Sequence, residues 1–261
     1  MADNTLLTRA QQLWLHTATT PGPFPLGGET HIVVAPDSRL GPSGWIGIVH
    51  LAGATLITAP SPQLAQALPP NLPATAWTDL AHLRRLLPVD SAMGPATLAY
   101  RDTPPPPPDP TTTPTATEVE HLDPTHPALI ALLASVLPEE AEESGLANIT
   151  SPAFVLRHED RIIAAAGYRH WPEQTAHLSV LTAPTHRNLG LARQVAHAAT
   201  SHSTTHALLT QWRARDTHHH SLRTARSLGF TPLGTQLNIH LALQPHPLSD
   251  DPYAQNSKPC S

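Results

Sequence analysis

The sequence predicts an α/β fold with a mixed α+β sheet in its C-terminal half, preceded by a smaller α+β unit and a proline-rich linker. Three observations carry this. From residue 118 to residue 245, apolar runs of strand period alternate with apolar stripes of helical period. Residues 1–102 hold β-rich runs and short capped helices. Between them, Thr103 to Thr117 reads TPPPPPDPTTTPTAT. Consecutive prolines fix φ and remove backbone donors, so this segment is a stiff polyproline II linker. Residues 246–261 lack an apolar period and read as a disordered tail.

In the N-terminal unit a helix is expected over residues 5–16 and a strand from Glu29 to Ala35. Gly44 to Ala59 reads as two β-rich runs turning at Ala52-Gly53. Ser61 caps a helix over Pro62 to Leu68, Asp79 caps one over Leu80 to Leu87, and Pro95 to Tyr100 makes a last strand. Gly27-Gly28 and Gly41-Pro42-Ser43-Gly44 are turns, since no helix start follows either at phosphate-loop spacing.

After the linker, Thr117 to Leu122 is a first strand. Asp123 and Pro124 are placed to open a helix whose apolar face is Leu129, Leu132, Leu133 and Val136. Pro138 ends it, and Glu139 to Leu146 is a short acidic helix or turn. Ala153 to Leu156 and Arg161 to Tyr168 flank a hairpin loop, followed by a strand from Ala176 to Thr182. Then come a helix, a strand over His206 to Trp212, a helix over His219 to Leu228, and a final strand pair ending at Leu243.

Composition excludes several functions. The formal charge is −5 with histidines neutral, so no basic field attracts nucleic acid or an anionic membrane. The 18 histidines would reverse that sign in mild acid. No apolar run approaches a membrane span. Cys260 is the single cysteine, which rules out an intramolecular disulfide and fits a reducing cytoplasm. Lys258 is the sole lysine among 15 Lys and Arg residues, a bias that suggests a bacterial genome rich in GC.

The chemistry-bearing segment begins at Leu178: LSVLTAPTHRNLGLARQVAHAA. A strand, a polar loop and an apolar-periodic helix follow one another, and Leu191, Val195 and Ala198 or Ala199 share the helix's buried face. The first backbone N–H groups of such a helix are unpaired and point at the loop, a ready anion site. Arg187 adds a cation, Gly190 admits a phosphate close to the main chain, and Ala192 keeps the helix start narrow.

Val180-Leu181-Thr182-Ala183-Pro184 followed by Arg187-x-x-Gly190-x-Ala192 resembles motif A of the GNAT superfamily of N-acetyltransferases. Ser221 to Phe230, SLRTARSLGF, resembles motif B, a helix ending in Gly-Phe. The similarity spans roughly residues 118 to 245 and implies acetyl-CoA as cosubstrate. It implies that the pantetheine arm lies between splayed strands, along the backbone of Val180, Leu181 and Thr182. The pyrophosphate then falls to Arg187, Asn188, Leu189, Gly190, Leu191, Ala192 and Arg193, with His218 nearby. An amine on a small molecule, peptide or protein attacks the thioester directly, without a covalent enzyme intermediate, in a monomer or homodimer.

Two proton-transfer groups are still needed. The tyrosine that often supplies the acid in this family is Ala225 here, and a common asparagine is His218. Water, Ser221 or an imidazole of His218 to His220 remain as acids. For the base, His177 stands where many relatives carry glutamate, and Glu143 or its neighbours Glu139, Glu140 and Glu142 are the alternative. Gln211, Trp212, Arg213 and Gln236 are candidates for the acceptor pocket. No metal is expected, because three sequential histidines on a helix point in different directions. A catalytically silent module that senses coenzyme A, or transfer to a hydroxyl or water, are the competing readings.

Overall fold

The computed structural model describes residues 4–107 and 118–242. Most of the expected linker and all of the expected tail, with Leu243, Lys258 and Cys260, lie outside the described residues.

Helix α1 (Asn4–Ala18) buries Leu6, Ala10, Leu13 and Trp14, the three- and four-residue spacing of one helical face. Strand β1 (Thr30–Val34) pairs in parallel with β3 (Ala54–Ala59), which forms an antiparallel hairpin with β2 (Ile46–Leu51). Ala52 and Gly53 close this hairpin with φ of 47° and 87°. Positive φ at both central residues matches the twist of the two strands, which explains why so short a turn suffices. Ser61 caps α2 (Pro62–Gln66) and Asp79 caps α3 (Leu80–Leu86), each by a side-chain oxygen accepting a backbone N–H of the first turn. Strand β4 (Val89–Arg101) begins well before the expected Pro95.

The C-terminal elements are β5 (Glu120–Leu122), α4 (Pro127–Leu133), α5 (Pro138–Ser144), β6 (Ala153–His158), β7 (Arg161–Trp171), β8 (Thr175–Thr182), α6 (Leu191–Thr205), β9 (Leu209–Arg215), α7 (His219–Ser227) and β10 (Thr231–Leu241). Three expectations need correction. Asp123 does not cap α4; its carboxylate accepts from the backbone N–H and the hydroxyl of Thr125, closing a local turn, and His126 caps the helix instead. The strand expected at His206 starts at Leu209, because His206 ends α6 and Ala207 turns the chain with φ of 57°. The final strand pair is one long strand, β10.

All ten strands form one sheet in the order β1-β3-β2-β10-β4-β9-β8-β7-β6-β5. Only β1 with β3 and β8 with β9 run parallel. Strand β4, from the N-terminal unit, lies between β9 and β10 and is antiparallel to both. The sheet therefore continues across the segment expected to separate two units.

Cores cover both faces. On one face of β6 to β9, helices α6 and α7 bury Phe154, Leu178, Val195, Trp212 and Phe230. On the other, α4 and the turn at Leu146 pack Leu129, Leu132, Ile149 and Leu181, while α1 packs Trp14, Tyr100 and Leu209 farther along.

Candidate active site

Strands β8 and β9 pair at only three positions, Thr175 with Leu209, Ala176 with Thr210 and His177 with Gln211. Beyond them, β8 stays paired to β7 as far as Thr182 and β9 to β4 as far as Arg215, but the two no longer pair with each other. Their facing backbone groups form two unzipped edges, which satisfy their hydrogen bonds only with an inserted chain or water. A cleft of ≈ 770 Å³ occupies the gap. His177, Val180, Leu181, Glu143, His218 and Ser221 all line it, so the structure brings together candidates from β8, α5, α7 and the turn that opens α7.

The loop from Arg187 to Gly190, expected to take the pyrophosphate, stands just past the end of β8. Helix α6 begins after Gly190, whose φ is 76° and which offers no side-chain cap, leaving the first N–H groups of the helix without intrahelical partners. Asn188 is also left-handed, with φ of 64°. No atom lies within 4 Å of where a Gly190 side chain would begin, so the backbone there faces open space. Arg187, Asn188 and Leu189 are exposed, while Leu191, Ala192 and Arg193 are half-buried. The Arg187 guanidinium is tethered in two ways, at 2.5 Å to Glu140 on α5 and at 3.4 Å to the Thr182 carbonyl. The Thr182 hydroxyl is buried and makes no hydrogen bond among the described residues.

At the closed end of the gap, His177 Nδ1 lies 2.7 Å from Gln211 Oε1, and Gln211 Nε2 donates to the Tyr100 hydroxyl oxygen at 3.0 Å. Trp14 Nε1 donates to the same oxygen at 2.6 Å. With Gln211 Oε1 as acceptor, Nδ1 carries the imidazole proton and Nε2 keeps the free lone pair. Burial, then the Arg213 charge and the weaker influence of Arg169, hold His177 down at about 3, against the Gln211 hydrogen bond that raises it. His177 is therefore neutral at physiological pH. Burial likewise raises the Tyr100 hydroxyl, which stays protonated.

Two of the other proton-transfer candidates, Glu143 and Ser221, are already engaged. Glu143 Oε1 pairs with Arg215 Nε at 3.1 Å and with His218 Nδ1 at 3.5 Å, tying α5 to the start of α7 across the mouth of the cleft. Ser221 Oγ accepts from Trp212 Nε1 at 3.0 Å, so its own proton is free to donate elsewhere. Ala225 is buried in the core below α7. Among the described residues no cluster of His, Cys, Asp and Glu is arranged to hold a metal, and no helix is long and apolar enough to cross a membrane.

Residues 150–235 match the family model described as GNAT acetyltransferase. This stretch is a GNAT domain.

No curated protein matches the chain. Among solved structures it is similar to a protein from Novosphingobium aromaticivorans described as an acetyltransferase of the GNAT family, with 19% identity, a TM-score of 0.47, and coverage of 59% of this chain and 67% of that one. A GCN5-related N-acetyltransferase from Kribbella flavida shows 16% identity and a TM-score of 0.42, covering 63% and 64%. A Salmonella typhimurium structure described as an acetyltransferase with its cofactor acetyl-CoA shows 16% identity and a TM-score of 0.35, covering 52% and 99%. The chain thus spans about two thirds of the first two structures' own lengths.

The GNAT domain's wall contains residues that the sequence did not single out. Trp171 stacks on His177, Arg169 lies directly across the ladder from it, and Tyr100 anchors Gln211 from outside the domain. The first two were missed because β7 runs on past Tyr168 to Trp171, and strand alternation carried that far would have placed both on the face of His177. No local signal pointed to Tyr100, which arrives through β4 from far away in sequence.

Proposed function

We propose that the chain is an N-acetyltransferase that moves an acetyl group from acetyl-CoA to an amine acceptor in a ternary complex. The observation that carries this reading is the parting of β8 and β9 after three paired residues, with the loop from Arg187 to Arg193 at the open end. A chain bearing amide groups fits such a gap as an added strand edge along Val180, Leu181 and Thr182. Its pyrophosphate then meets the first N–H groups of α6 and the Arg187 guanidinium, which leaves Glu140 to receive it.

In this arrangement the amine nitrogen attacks the thioester carbonyl carbon, and a backbone N–H of β8 stabilises the oxyanion. The carbon–sulfur bond breaks as the amide forms. The departing thiolate takes a proton from Ser221, whose oxygen is held by Trp212, or from His218 or water. His177 Nε2 is a weak acceptor. It suits the strongly acidic ammonium formed as the amine adds, and leaves a protonated free amine untouched.

The buried Ala225 favours a second reading, a silent module that binds coenzyme A for a partner. Calorimetry with coenzyme A and thiol release from acetyl-CoA against an amine panel separate the two. Binding with thiol release supports transfer, binding without it supports the silent module, and absence of binding excludes both.

A further inference from the structure

Arg169, Trp171, His177, Gln211 and Arg213 share one face of the sheet. His177 hydrogen-bonds to Gln211 and stacks on Trp171 at 4.2 Å, and the Arg213 guanidinium sits 5.9 Å from the centre of the Trp171 ring. Arg169 is paired across the ladder with His177. The opposite face, with Leu178, Val180 and Trp212, packs on α6 and α7. The cleft passes through the sheet where β8 and β9 part, and both faces contribute to its lining.

Arg169, Arg213 and Arg215 line the cleft, Arg187 stands at its open end, and the four divide by partner. Arg187 is paired with Glu140 and Arg215 with Glu143. Among the described residues, Arg169 and Arg213 make no ion pair. Arg213 Nη1 donates to the neutral Gln236 amide oxygen at 3.0 Å, Gln236 itself being fixed by the Leu40 carbonyl, and Glu143 acts on Arg213 only from beyond ion-pair distance. Two cations thus flank one neutral imidazole without a counter-charge in contact. Burial lowers the Arg213 guanidinium from its usual range. A bound anion supplies the counter-charge that no side chain in contact provides, and a guanidinium fork matches a carboxylate. The facing wall has the other sign: Glu139 and Glu142 on α5 also line the cleft and make no ion pair among the described residues.

We propose that the acceptor is a small amino acid-type zwitterion, whose carboxylate is taken by Arg213 and Arg169 while its amine faces the thioester between β8 and β9. The Trp171 and His177 rings form the flat wall against which its carbon skeleton lies. This deepens the transferase reading and rests on it for the role of the bound amine. A carboxylate held there also neutralises the two charges that oppose protonation of His177, so a substrate with the right anion makes its own proton acceptor more basic.

The test titrates free α-amino acids, and the same amino acids as C-terminal amides, into full-length protein saturated with coenzyme A. At least one acid is expected to bind about tenfold or more tightly than its amide, the worth of a charged hydrogen-bonded pair. R213Q and R169Q are each expected to reduce that ratio severalfold while coenzyme A affinity stays unchanged. Two independent variants guard against one that fails to fold, checked by circular dichroism. Equal binding of acids and amides, binding of neither, or a ratio retained in both variants overturns the proposal. If carboxylate-free amines release thiol from acetyl-CoA as well as the acids do, the transferase reading survives and this proposal fails. If acids bind with the expected ratio but no acceptor releases thiol, the subsite stands and the transferase reading fails.

Discussion

His177 and Trp171 lie with their ring centroids 4.2 Å apart and their planes within 13° of parallel, on the wall where β8 and β9 are about to separate. The stack and the Gln211 hydrogen bond hold one nitrogen of the imidazole against the protein and leave the other for the cleft. H177A should lower turnover about 10- to 100-fold, with coenzyme A affinity unchanged by calorimetry. Equal turnover would remove His177 from the mechanism.

The same burial makes stability depend on pH. His177 has an ordinary value near 6.5 when unfolded and about 3 when folded, so between these limits the unfolded chain binds the extra proton. Its contribution is fully present above pH ~6.5 and is lost as pH falls toward 3, with a slope of at most about 1.4 kcal/mol per pH unit. Burial lowers His50, His197 and His202 in the same direction. Denaturant unfolding from pH 7 down to pH 4 should show falling stability, and H177A should make the slope shallower. A parallel slope in the variant would contradict the buried neutral imidazole.

Gly190 combines a left-handed backbone with open space in front of it. G190E should abolish coenzyme A binding, because the carboxylate enters the pyrophosphate position and the φ of 76° strains any side chain. G190A should bind more weakly but detectably, at a strain cost of about 1 kcal/mol. Unchanged affinity in G190E would remove the loop from cofactor binding.

Glu140 holds Arg187, the first of the two arginines in the loop from Arg187 to Arg193. E140Q should tighten coenzyme A binding a few-fold and steepen its dependence on salt, since Arg187 no longer has to leave a carboxylate. Weaker binding in E140Q would mean instead that Glu140 positions Arg187 for the phosphate.

Gly234 is needed for a different reason. A side chain there would begin 1.8 Å from the His50 carbonyl oxygen of β2. G234A should destabilise the protein by about 3 kcal/mol, read as a lower denaturation midpoint. A neutral effect would show that β10 and β2 can move apart freely.

Much of this was legible in the sequence because it is local. The caps at Ser61 and Asp79, the turn at Ala52-Gly53 and the helix start at Gly190 are each written within a few residues, where backbone and side chain meet directly. Asp123 misled for the same reason: its carboxylate found Thr125 two residues on before it could cap a helix. Pairings across long sequence distances were not legible. Gln211 depends on Tyr100, Arg213 on Gln236, and β9 on β4, more than a hundred residues earlier, and no periodicity encodes which edge a strand will choose.

The position of β4 has a consequence for the order in which the molecule is made. Strand β4 leaves the ribosome with neither of its neighbours synthesised, since β9 and β10 follow more than a hundred residues later. Until then the nascent chain carries two open edges on the same strand, in reach of any other extended segment. Completion of the sheet waits for nearly the last residues described, which makes slow, late closure by long-range pairing the expected route to the native state. A cell producing this protein must keep its first hundred residues apart from their copies on neighbouring ribosomes for that interval.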